Sequence, residues 1–83
     1  MVRQDHKLEN LDRLFGKALQ DLRERRGLSQ EDLGFDSGYH RTYISLLERG
    51  LRNPSLQRVF NLAKVLEVSP SELVQPVEAK LLD

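Results

Sequence analysis

Cysteine is absent from this chain of 83 residues. Disulfides and thiolate metal sites are thereby excluded, and the composition suits a reducing compartment. Histidine is scarce. His6 and His40 are far apart in sequence, so a zinc site would have to be completed by carboxylates. No metal or other cofactor is expected. No apolar run approaches the roughly 20 residues that cross a bilayer, and the opening MVRQDHKLEN has no apolar stretch of the kind a signal peptide carries. A soluble cytoplasmic protein with no membrane partner is expected. There is also no positioned nucleophile with its base, no glycine loop for phosphate and no metal cluster, which argues against an enzyme. Internal repeats and low-complexity segments are missing, and the length predicts one domain with a small core.

Net charge is zero, but the charge is unevenly placed. Residues 1–39 carry 7 basic and 8 acidic side chains, residues 40–58 carry 4 and 1, and residues 59–83 carry 2 and 4. The sums are −1, +3 and −2, so positive charge collects in the middle. Such a patch can attract a polyanion although the whole molecule is neutral.

Five helical segments can be read, and no strand, so the fold class is all-α. In the first, Leu8, Leu11, Phe15, Ala18 and Leu22 recur at spacings of three and four, with Leu14 and Leu19 widening the stripe. Arg23, Arg25 and Arg26 suit its last turn, and Gly27 its C′ position. In LSQEDL, Ser29 is the expected N-cap of the second helix, with Asp32 three residues on as the acid of a capping box. That helix should run to about Ser37. Gly34 weakens it by up to about 1 kcal/mol relative to alanine. Gly38 supplies the turn. The third helix should begin at His40 or Arg41 and end at Gly50, with Ile44 and Leu47 inward and Arg41, Thr42, Ser45 and Arg49 on the other side. Ser55 caps a fourth, whose stripe is Leu56, Val59, Phe60, Ala63 and Leu66. Ser69 and Pro70 open a short fifth, which Pro76 is expected to end. The division is then an N-terminal extension at 1–10, a helical domain at 11–75 and a tail at 76–83.

Two short helices joined by about three residues with a glycine form a helix-turn-helix. Counting Gln30 as the first position, Leu33 is fourth, Gly38 ninth, Ile44 fifteenth and Leu47 eighteenth. The stretches LRERRGLSQEDL, GYHRTYISLLERG and RNPSLQRVFNLAKVLEVSPSEL resemble the Cro/C1 (Xre-type) family of helix-turn-helix regulators, which includes phage repressors and restriction–modification controller proteins. The likeness runs almost continuously from Leu22 to Leu73. It implies a compact five-helix, lambda-repressor-like domain that binds double-stranded DNA as a homodimer on a near-palindromic operator. Departures are Gly34 where the family usually has alanine, Tyr39 in place of a small aliphatic residue, and Phe35 at a commonly polar position.

The resemblance places the third helix, residues 41–49, in the major groove, where each base pair shows its own donors, acceptors and methyl groups. Arg41 is the candidate for a bidentate contact to guanine. Thr42 offers a hydroxyl and a methyl, and Ser45 can reach a base or a phosphate. Tyr43 has two readings, a base or phosphate contact with its hydroxyl free, or packing on the adjacent helix. Leu46 meets either a thymine methyl or the core. Gln30 and Ser29 at the start of the second helix, with Arg49, Arg52 and Asn53 around the following loop, are phosphate candidates. His40 is either a helix cap or a phosphate contact. By the family pattern Arg23, four before Gly27, pairs with Glu48, two before Gly50, as a structural ion pair. A dimer surface is expected from Val68, Leu73, Val74, Val77, Leu81 and Leu82, whose alternative is packing on the first helix. A second function is also carried, an antitoxin or adaptor whose main partner is another protein, with Phe35 and residues 1–10 as contacts. For the regulator, no sensory domain is expected, since the helical domain uses nearly all of these residues.

Overall fold

Asn10 to Leu82 are described by the structure, a computed structural model of the chain. Leu8, His6 and most of the N-terminal extension lie outside the described residues. Among the described residues five helices follow one another: α1 Leu11–Arg25, α2 Gln30–Ser37, α3 Arg41–Glu48, α4 Leu56–Leu66 and α5 Pro70–Leu82. There is no strand among the described residues.

Local chemistry explains most of the boundaries. α1 closes on Gly27, which has φ +71°, and the Leu28 N–H returns to the Arg23 carbonyl at 3.1 Å. That is the αL ending a helix adopts when a residue without Cβ follows it. α2 opens on a reciprocal capping box, with Asp32 N–H donating to Ser29 Oγ (2.9 Å) and Ser29 N–H to Asp32 Oδ2 (3.2 Å). Ser69 and Glu72 repeat the device at α5, at 3.2 and 2.8 Å.

Among the described residues twelve side chains form the core, and Leu19, Leu33, Ile44, Leu47, Leu62, Leu66 and Leu73 are fully buried in it. α1 packs on both α3 and α5, so it backs the short third helix from behind. α2 packs on α3 and α4. The crossing of α1 and α3 is close because Gly16 is buried at it.

Three expectations are corrected. α5 does not end at Pro76. It continues to Leu82, with Val77 in the core, so residues 76–82 belong to the helical body. Proline removes one backbone donor, but the fifth helix tolerates that where Pro76 is exposed to water. On α4 the buried face is Val59, Leu62, Ala63 and Leu66, while Leu56 and Phe60 are 74% and 55% exposed. The row at i, i+3, i+4 and i+7 therefore turns Phe60 to the flank, and Leu62 takes the place assigned to it. At Gly34, an added Cβ would lie 2.6 Å from the Tyr39 carbonyl oxygen. Glycine here permits the approach of the turn as well as loosening the helix.

Candidate nucleic-acid interface

The α2–α3 unit is built around its three-residue turn. Gly38 stands at φ +81°. The Tyr39 N–H comes back to the Gly34 carbonyl at 2.8 Å, which sends the chain off in a new direction. His40 then caps α3, its Nδ1 accepting from the Thr42 N–H at 3.0 Å. A side-chain acceptor on the second helical N–H is what a helix start needs, so His40 takes the cap role of its two readings.

With the start capped by the residue before it, the first residues of α3 are left free. Arg41 and Thr42 are exposed, and neither side chain makes a hydrogen bond or ion pair among the described residues. Ile44 and Leu47 are fully buried, which fixes the rotation of the helix. Ser45 and Leu46 are half-buried on its flank. Leu46 is not among the buried core residues, so its side chain keeps an outward edge. Arg49 is exposed, with Nε 3.4 Å from the Ser45 carbonyl oxygen. Arg52 is exposed in the loop.

Beneath α3 lies a network of charge. Arg23 Nε donates to Glu48 Oε2 at 2.6 Å, and Arg23 Nη2 to Glu48 Oε1 at 3.1 Å. The same Oε1 accepts from Gln30 Nε2 at 2.9 Å, and Arg23 Nη1 donates to the Leu28 carbonyl at 2.8 Å. The two charged side chains are only 10% and 4% exposed. The hydrogen bond that Arg23 donates to Glu48 raises the Arg23 pKa above its ordinary value, against the opposing pull of burial. Three helices meet on the one carboxylate of Glu48. Gln30 thereby has its amide anchored at the mouth of α2, beside Ser29.

Four site expectations change. Asn53 is turned to α1, its Nδ2 donating to Asp12 Oδ1 at 2.7 Å, so a carboxylate holds the group assigned to a phosphate. Leu73 and Val77 are core residues at 0% and 4% exposure and are not available to a second chain. Of the expected pairing surface, Val74 and Leu82 are exposed, while Val68 and Leu81 are half-buried against the core. The Tyr43 hydroxyl is not free for a phosphate. It is buried and finds no hydrogen-bond partner among the described residues.

Tyr43 packs its ring on one side while the residue stays half-buried, so part of the ring keeps an outward edge. Its ring meets Tyr39 edge-on, centroids 5.4 Å apart at 67°. Arg58 of α4 covers both rings, and Asn61 Nδ2 donates to the Tyr39 hydroxyl at 3.0 Å. Arg58 and Asn61 did not emerge from the sequence. The available signal was a cation and an amide three apart on the flank of α4, opposite two tyrosines four apart. No hydrogen bond of good geometry reaches this hydroxyl, although the Arg58 guanidinium beside it has its pKa raised by the contact; Tyr43→Phe is therefore expected to change stability by less than about 1 kcal/mol. The urea midpoint measures this, and a clear fall would show that the hydroxyl is satisfied in solution.

Comparison with known proteins places this geometry in context. Residues 19–73 match the family model HTH_3, described as helix-turn-helix. The HTH-type transcriptional regulator y4dJ of Sinorhizobium fredii is 41% identical over 69 residues, 83% of this chain and 90% of that one. Control protein C.BamHI of Bacillus amyloliquefaciens is 42% identical over 66 residues, covering 78% of this chain and 82% of that one. Among solved structures, the restriction–modification controller protein C.AhdI from Aeromonas hydrophila superimposes with a TM-score of 0.72 at 47% identity, over 77% of this chain and 96% of that one.

Proposed function

We infer the function from one premise: the chain belongs to the helix-turn-helix family whose model spans its residues 19–73. It is a DNA-binding transcriptional regulator of the Cro/C1 type. We propose that it works as a homodimer on a near-palindromic operator, each copy laying α3 in the major groove. The observation that carries this is the start of α3, where Arg41 and Thr42 are exposed and uncommitted because His40 caps the helix. A side chain already engaged within the protein could not read a base edge without giving up that partner.

In this reading Arg41, Thr42, Tyr43, Ser45 and Leu46 face base edges, Tyr43 through its ring. Gln30, Ser29, Arg49 and Arg52 border the phosphate backbone. Two copies related by a two-fold axis would meet half-sites roughly 34–36 Å apart. Val74 and Leu82, with the edges of Val68 and Leu81, supply the pairing surface. Control of the target follows from protein concentration and pairing, a mode suggested by the likeness to proteins named control or controller proteins.

The test is selection of bound duplexes from random DNA, followed by binding at several salt concentrations. Arg41→Ala is expected to relax preference at one position per half-site, by about 1–3 kcal/mol of discrimination. Arg52→Ala is expected to weaken all duplexes alike and to lower the salt slope by about one. Identical behaviour of the two variants would remove the division between reading and gripping residues. The antitoxin or adaptor reading draws on Phe35, which is 86% exposed on α2. A small protein that co-purifies with the wild type and is lost with Phe35→Ser would favour it.

A further inference from the structure

Arg58 has no part in the reading above. It sits in the first turn of α4, exposed, and forms no ion pair with a carboxylate among the described residues. Yet its place is well defined. The guanidinium carbon lies 4.8 Å from the centre of the Tyr43 ring and 5.4 Å from that of Tyr39. A cation over the face of an aromatic ring is attracted by the ring quadrupole, and arginine also stacks its flat group there. Two rings from two elements, the turn and α3, thus share one guanidinium from a third.

The Tyr43 hydroxyl sharpens the question of what holds this side chain. It is buried and no hydrogen bond of good geometry reaches it, but the Arg58 guanidinium lies beside it, and that contact raises the Arg58 pKa. Ring contacts hold it as well. One is the edge-on meeting with Tyr39, 5.4 Å between centroids. Tyr39 is itself fixed, its hydroxyl accepting from Asn61 Nδ2 at 3.0 Å while the same amide nitrogen donates to the Ser37 carbonyl at 2.9 Å. The other contact is Arg58. Asn61 and Arg58 lie three apart on α4, on one face, so one side of that helix braces both the turn and the start of α3.

We propose that Arg58 is a positioning residue for base recognition: lying over Tyr39 and Tyr43, it fixes the Tyr43 ring and so sets the preference at the base step this ring meets. This rests on the reading of α3 as the base-reading helix and extends it to a residue on a different helix. The rival role is a plain phosphate cation. The two differ in what they change. A phosphate cation alters affinity for every duplex and the salt dependence, whereas a positioning residue alters the choice among duplexes at one place.

The experiment uses the full chain as wild type, Arg58→Ala, Tyr43→Ala and the double variant, each checked for an unchanged melting curve at the binding temperature. Duplexes selected by the wild type are varied one base pair at a time and binding is measured across a salt series. Arg58→Ala is expected to lower discrimination about three- to tenfold at the base step that Tyr43→Ala also relaxes, and the double variant should match Tyr43→Ala alone. A uniform loss on all duplexes with a salt slope lower by about one would overturn the proposal, as would losses that simply add in the double variant. Wild-type preference retained in full by Arg58→Ala overturns this inference alone. A wild type that shows no preference overturns the reading of α3 and this inference with it.

Discussion

Glu48→Ala is expected to destabilise the domain by about 3–5 kcal/mol, because it leaves the buried guanidinium of Arg23 without its counter-charge. The carboxylate takes two hydrogen bonds from Arg23, at 2.6 and 3.1 Å, and one from Gln30 at 2.9 Å. Arg23 would keep the Leu28 carbonyl at 2.8 Å and the exposed Glu24 carboxylate, 3.8 Å from its Nη2, which is too far and too well solvated to replace Glu48. Domains of this size have total stabilities of about 5–15 kcal/mol, so the variant should be close to unfolding. Thermal melting followed by circular dichroism should show a fall of at least about 12 °C, taking about 4 °C per kcal/mol as the lower figure for so short a chain. A variant that melted with the wild type would mean the pair contributes nothing. Replacing both partners together, as Arg23→Met with Glu48→Leu, is expected to recover much of the loss, since no charge is then stranded.

Gly16→Ala is the second large effect, and its sign is the informative part. Helix propensity alone favours alanine in the middle of α1 by about 1 kcal/mol. Packing opposes it. A Cβ on Gly16 would collide with the Leu47 carbonyl oxygen and stand 2.5 Å from that of Glu48. Both are backbone atoms at the end of α3, which cannot swing aside as a side chain would. We expect packing to win by about 1–3 kcal/mol net, seen as a lower urea midpoint with little change in the slope. A higher midpoint would mean that α1 can retreat from α3 without loss. Weaker DNA binding should accompany the loss, because α1 backs the helix that carries Arg41 and Thr42.

What was legible in the sequence was mostly what is settled within one turn. Ser29 with Asp32 and the reversal at Gly38 depend on neighbours a few residues away, and they are present in the structure as expected. The burial of Ile44 and Leu47 follows from helical period in the same way. The Arg23–Glu48 contact spans the distance between helices and came only from resemblance. The misreadings have a different origin. Asp12 and Asn53 are 41 residues apart, and nothing local says that they meet. Gly16 looks like an ordinary weak spot in a helix until the third helix is known to cross there. Pro76 was treated as a stop, but a helix whose next residue is buried can run past one lost hydrogen bond. The Tyr39–Tyr43–Arg58 group was missed because each member alone resembles a surface residue.

The division of labour along α3 has a consequence for redesign. Its anchoring falls to Ile44, Leu47 and Glu48, while the two leading side chains are exposed and make no hydrogen bond or ion pair among the described residues. Those two positions should therefore accept new residues without disturbing the scaffold, much as interchangeable bits fit one handle. A library randomised at Arg41 and Thr42 alone would then yield folded members with altered addresses on the genome.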